Sequence, residues 1–110
     1  MIYEMRVYDI AAGKMAANEK RFEEVNVTGL FEKHGMKVVG FWTTLIGENA
    51  GNRLVYILGY ESLAHREECW KSWKTDTTWP KKKKETDPDG SMIAGITNSI
   101  LVPTKYSPLQ

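Results

Sequence analysis

Glu4, Arg6 and Tyr8, three polar residues at alternate positions near the start of the 110-residue sequence, carry its most concentrated chemistry. A carboxylate, a guanidinium and a phenol spaced by two fall on one face of a β-strand. Tyr3, Met5 and Val7 take the other face and are read as the side turned to the helices, so the polar row points into a space between subunits. Polar groups aimed at a covered surface need partners. Thr97 and Ser99 on a last strand beside the first would face the same space, and Trp42 or Phe41 with Tyr56 would supply aromatic walls. Glu4, Arg6, Tyr8, Trp42, Tyr56 and Thr97 are therefore the candidate ligand-binding set, a mixture suited to a small aromatic or carboxylate-bearing molecule. The plainer alternative is a Glu4–Arg6 pair across a dimer interface that fixes its register.

For catalysis the candidates are Arg6, to hold an anionic group, and Tyr8 or His34, to move protons. His34 lies at the end of an expected helix, where an imidazolium interacts favourably with the helix C-terminus; its functional alternative is a base or haem ligand at a barrel mouth. His65 is expected at the surface. Cys69, flanking Trp70 and Trp73, reads as a buried thiol without basic activation. Two histidines and one cysteine without ligand spacing give no metal site, and no cofactor is expected. GxSxG, Walker and dinucleotide motifs are absent. Arg66 lies between Leu63 and Trp70 on the apolar stripe of a second helix, where it needs an indole or a carboxylate.

The elements that position these residues alternate in type. Ile2 to Tyr8 is a strand, and Lys14 to His34 is helix-forming, ended by Gly35. Met15, Phe22, Val25 and Gly29 make its buried stripe, leaving Val27 and Phe31 on the far side as surface residues or a second contact surface. Met36 to Gly47 reads as a strand, Gly47 to Asn52 as a turn, and Arg53 to Tyr60 as a strand buried on both faces. Ser62 caps a helix running to about Asp76. Trp79-Pro80 interrupts, Lys81 to Glu85 is a polar segment with short-helix character, and Asp87-Pro88-Asp89-Gly90 turns into a final strand, Met92 to Val102. The order β-α-β-β-α-β is the ferredoxin-like pattern, an α+β fold with four antiparallel strands and both helices on one sheet face.

Length, a 42% apolar fraction, and 15 Lys+Arg against 14 Asp+Glu point to a single domain spanning residues 1–110. Near-neutral charge excludes a global case for nucleic acid or an anionic membrane, and four lysines at 81–84 without interleaved aromatics read as a solvated segment. No apolar run approaches a membrane span, and no signal-like N-terminal segment is seen, so a cytoplasmic location is expected. Two helices cover one sheet face only, yet the third strand is apolar on both sides and Phe41 and Trp42 point oppositely. Leaving that surface in water, at roughly 25 cal/mol per Å², forgoes several kcal/mol. A second copy packed sheet to sheet removes the problem, giving a homodimer around an enclosed space. The alternative is that the C-terminal tail and the lysine segment fold over the open face.

Residues Ile2 to Tyr8, Lys33-His34-Gly35, Val39 to Thr44, Ile46-Gly47, Tyr60 to Arg66, Asp76 to Trp79, Leu101 to Thr104 and Tyr106-Ser107-Pro108 together resemble the NIPSNAP domain family from end to end. The resemblance implies a ferredoxin-like fold of the dimeric α+β barrel type. Barrels of that type include cofactor-independent monooxygenases, haem-degrading enzymes, muconolactone isomerases and proteins without known activity, so fold alone leaves function open. The expectation is a small, partly apolar or aromatic molecule bound in the barrel cavity, with an oxygenase or isomerase as the enzymatic version. A non-catalytic homodimeric binding or interaction module is the alternative, its partner met by Val27 with Phe31 or by the lysine segment.

Overall fold

The computed structural model describes all 110 residues. Its elements run β1 (Ile2–Ile10), α1 (Met15–Val27), α2 (Leu30–Lys33), β2 (Lys37–Thr43), β3 (Arg53–Tyr60), α3 (Leu63–Thr75), α4 (Thr78–Thr86) and β4 (Ile93–Leu101). The four strands form one antiparallel sheet in the order β2-β3-β1-β4. No helix is long and apolar enough to cross a membrane.

The register decides which side chains share a face, because residues directly opposite on paired strands point the same way. Glu4 pairs with Leu58, Arg6 with Tyr56 and Tyr8 with Leu54 on β3, and on β4 with Ile100, Asn98 and Ile96. On β1 and β3 this row packs against the helices, while its β4 members stay exposed. Tyr8 meets Phe22 of α1 edge-on at 5.8 Å, and Tyr56 is stacked on Phe41 at 4.7 Å with Phe31 of α2 at 5.9 Å. Cys69 and Trp73 of α3 and Met92 complete a core that carries most of the burial free energy, at about 1.5–3 kcal/mol per fully buried large side chain. The opposite row, with Met5, Val7, Val55, Ile57, Trp42 and Leu101, is left open to solvent or partly so. The tail meets it at one end, where the Tyr3 hydroxyl, on this face, donates to the Gln110 carbonyl at 2.7 Å.

The helical stretch expected from Lys14 to His34 is broken. Gly29 takes φ 69°, a left-handed conformation that side-chain-bearing residues avoid, and the chain re-enters a helix at Leu30. Rotation at this point takes Phe31 off the surface and into the core at 1% exposure, while Val27 stays outside at 83%. A continuous 100° projection cannot anticipate that. The second strand ends at Thr43, before Gly47, and Trp79-Pro80 falls inside the first turn of α4, where proline's missing N–H costs nothing. Ser62 caps α3 as expected, its Oγ accepting from the His65 N–H at 3.1 Å. Leu63, assigned to the buried stripe of that helix, is exposed.

Candidate functional site

The orientation expected for Glu4, Arg6 and Tyr8 is reversed: they point under the helices, and the apolar Met5 and Val7 face outward. The cause is the neighbouring elements. Arg66 and Trp70 of α3, with Tyr56 and Tyr60 of β3, supply the partners that a polar row needs, so it can be buried within one chain. Of the six candidate ligand residues, Glu4, Arg6, Tyr8 and Tyr56 come together on the helix side. Trp42 and Thr97 lie on the open face, opposite Val55 and Val7 respectively. The aromatic wall beside Tyr56 is thus Phe41, with Trp42 on the other side of the sheet.

Glu4 is fully buried and receives Arg66 Nε at 2.9 Å, Arg66 Nη2 at 3.1 Å, Arg6 Nη1 at 3.0 Å and the Tyr60 hydroxyl at 2.8 Å. Burial alone would raise its pKa. The hydrogen bonds from Arg66 and Tyr60 and the charges of Arg6 and Arg66 together outweigh it and hold the carboxyl below its ordinary value. Arg6 donates through Nε to the Tyr56 hydroxyl at 2.8 Å and through Nη2 to the Tyr8 hydroxyl at 3.1 Å. With its amide oxygen turned inward, Asn98 accepts from Nη1 at 3.0 Å. The guanidinium lies 5.0 Å from the Trp70 ring centroid. Tyr56 donates onward to Tyr8 at 3.0 Å, and burial pushes the Tyr56 phenol well above its ordinary value. Tyr60, raised by burial and by Glu4, accepts from the Trp70 indole N–H at 3.0 Å.

Two features of this network face outward. Arg66 spends Nε and Nη2 on Glu4 and leaves Nη1 free, with 29% of its side chain exposed. A groove of about 810 Å³ between α3 and the sheet is lined by Arg6, Arg66, Trp70, Lys71, Lys74 and Ala64, with Glu67 and Glu68 also on its wall. Four basic side chains against Glu67, Glu68 and the Glu4 shared by the two arginines leave it net positive and favourable to an anion. On the helix-facing side of β4, Ile96 and Ile100 flank Asn98 opposite Arg6 and are 52% and 42% exposed, an apolar shelf beside the guanidinium.

His34 lies apart from this network. Its Nε2 meets Asp76 Oδ2 at 2.7 Å and its Nδ1 meets Ser72 Oγ at 2.7 Å. The Asp76 carboxylate can only accept, so the His34 ring carries a hydrogen on Nε2, and in the neutral ring Nδ1 accepts from the serine. The Asp76 carboxyl is held well below the usual range by the Thr78 hydroxyl and N–H, then by His34 and Lys33. Ser72 lies within α3, where backbone N–H groups are spent on the helix, so no pair of them is available to an oxyanion. The trio clamps the end of α2 to α3. Neither Ser72 nor Asp76 was a candidate from sequence, because the three residues are brought together only by the packing of the helices. His65, expected at the surface, is half-buried: its Nδ1 accepts from the Glu61 N–H at 3.0 Å and its Nε2 lies 3.4 Å from Cys69 Sγ. With Nδ1 occupied as an acceptor, Nε2 of the neutral ring carries the hydrogen, aims it at the sulfur and cannot take a proton from the thiol. Burial pushes the Cys69 thiol up.

A four-stranded antiparallel sheet in the order β2-β3-β1-β4, with every helix on one face, defines the ferredoxin-like α+β class. Residues 3–108 match the NIPSNAP family model, and the chain belongs to that family. A NIPSNAP family protein of Agrobacterium tumefaciens is 29% identical, with 99% of this chain and 98% of that chain covered and a TM-score of 0.84. An uncharacterized NIPSNAP domain protein of Burkholderia xenovorans is 25% identical over 98% and 99% of the two chains, with a TM-score of 0.82. A dimeric ferredoxin-like protein from an uncultured marine organism shares the fold at 12% identity, over 96% and 90% of the chains, with a TM-score of 0.61. No curated protein sequence matches the chain significantly.

Proposed function

We propose that this protein is a homodimer that binds a small organic acid with an apolar or aromatic body, in the groove between α3 and the β1–β4 side of the sheet. The observation that carries this is the free Nη1 of Arg66 beside Arg6, both guanidiniums fixed by one buried carboxylate. Such donors are preorganised for a carboxylate, which they recognise without reordering. Trp70 and the Ile96–Ile100 shelf would receive the rest of the molecule. The groove thus lies within one chain, between helix and sheet. Dimer formation is supported by the open face, where Met5, Val7, Val55, Ile57, Trp42 and Leu101 form an apolar surface to which the tail makes one hydrogen bond, at Tyr3. It is supported too by the dimeric state of the marine relative.

The network favours binding over proton transfer. Glu4 is saturated by its donors, and the Tyr56 and Tyr60 phenols are harder to ionise than usual. An oxygenase or isomerase reading falls on Tyr8, whose hydroxyl accepts from Arg6 and Tyr56 and keeps its own hydrogen uncommitted.

Titration with benzoate-type acids, quinones and haem, followed by thermal shift, tests the ligand. Saturable stabilisation by an aromatic acid, lost by about tenfold in affinity in Arg66→Gln, is expected. Stabilisation by none of them, or equal binding by Arg66→Gln, refutes the assignment. For the dimer, sedimentation is expected to show a dimer at micromolar concentration and a folded monomer for Ile57→Lys. A monomeric native protein refutes it.

A further inference from the structure

A further guanidinium, apart from the Arg6 groove, is buried without an ion-pair partner. Arg21 in α1 is 2% exposed and forms no salt bridge. Its Nε donates to Thr86 Oγ1 at 2.8 Å and its Nη2 to the Lys83 carbonyl at 3.4 Å, both on α4, while the guanidinium lies 5.5 Å from the Trp79 ring centroid. Its hydrogen bonds go to neutral acceptors, and the charge is answered only by Asp87, which forms no ion pair with it, so an anion in direct contact would complete the arrangement. Nη1 has no partner, yet it is not among the sealed, unsatisfied atoms, so it opens to the surface. There it meets a groove of about 500 Å³ lined by Arg21, Trp79, Lys83, Lys84, Asp87 and Asp89.

The two acids hold the turn that follows α4, and Asp87 keeps its charge toward Arg21. Asp87 accepts the N–H groups of Ser91 and Met92 at 3.1 and 3.2 Å, and Asp89 accepts the Ser91 hydroxyl at 2.7 Å. Three cations against these two carboxylates leave the groove net positive.

We propose that this groove is an oxyanion site that takes a phosphate group, free or as the monoester of a small molecule, on Arg21 Nη1 with the Lys83 and Lys84 ammonium groups closing around it. A tetrahedral dianion accepts from three directions at once, matching three cations converging from two helices, where a planar carboxylate would satisfy a single fork. The flat Trp79 ring beside the guanidinium offers a surface for the body of a monoester.

The test is NMR of the Trp79 indole N–H, assigned with Trp79→Phe, during titration at fixed pH and ionic strength with inorganic phosphate, phenyl phosphate and benzoate. Phosphate is expected to move this resonance saturably, with a Kd on the order of 1 mM. Tighter binding of phenyl phosphate identifies a monoester, and equal or weaker binding identifies the free ion. Lys83→Ala/Lys84→Ala alters two exposed positions and is expected to weaken binding by about tenfold, as is Arg21→Gln. No saturable shift with phosphate, an unchanged Kd in the double lysine variant, or benzoate binding as well as phosphate would each overturn the proposal.

Discussion

Replacing Glu4 by Gln keeps the shape of the side chain and removes its charge, leaving Arg6 and Arg66 under the sheet without their shared carboxylate. Breaking one side of a buried ion pair typically costs 3–5 kcal/mol. The lower end, about 3 kcal/mol, is appropriate here because the Arg66 side chain keeps 29% of its surface in water and Arg6 keeps 15%. At about 4 °C per kcal/mol for a chain of this size, Glu4→Gln should melt about 12 °C below the native protein. Because the folded carboxyl has a lowered pKa, its contribution is fully present above the unfolded carboxylate range and disappears as pH falls through the folded value. The gap between native protein and variant, measured by urea denaturation at several pH values, should therefore close on acidification. Adding Arg66→Gln to Glu4→Gln should cost less than the sum of the two single changes, since both remove the same pair. A loss below about 1 kcal/mol for Glu4→Gln near neutral pH, or a gap that is constant from neutral pH into acid, would refute this account of the network.

Tyr56→Phe should cost about 1–3 kcal/mol in denaturant, because Arg6 Nε loses its acceptor and Tyr8 loses a donor in a buried setting. His34→Ala should destabilise the protein by about 1–2 kcal/mol and speed amide exchange at the end of α3, since Ser72 and Asp76 lose their common partner. Asp76→Asn should flatten part of the acid limb of stability, because the lowered Asp76 pKa stabilises the fold above the unfolded carboxylate range and that contribution fades as pH falls. Gly40→Ala would place a Cβ 2.6 Å from the Trp42 ring, so the indole must shift; a change in Trp42 fluorescence reports it, and the proposed dimer should be weakened with it, as read by sedimentation.

The element order, the Ser62 cap, the strand from Arg53 to Tyr60 and the family were legible in the sequence, because local periodicity and turn chemistry depend on residues only a few positions apart. The need for Arg66 to find a carboxylate or an indole was legible too, since a lone charge on an apolar helix stripe demands one. Which carboxylate was not: Glu4 is 62 residues away in sequence, and only the packing of α3 over β1 brings them together. The same long-range packing decided the face of the first strand. Alternation separates Glu4, Arg6 and Tyr8 from Met5 and Val7 but is blind to which set lies under the helices, so hydropathy favoured the wrong side. The partners on α3 and β3 that make burial of the polar row favourable appear only when the strands are paired. His34 with Ser72 and Asp76, the helix break at Gly29, and Arg21 buried without an ion pair have the same origin, each set by contacts or backbone geometry that no single segment contains. Sequence determined the elements and their order; tertiary structure decided which charges meet, because electrostatic and hydrogen-bond partners are chosen by distance in space.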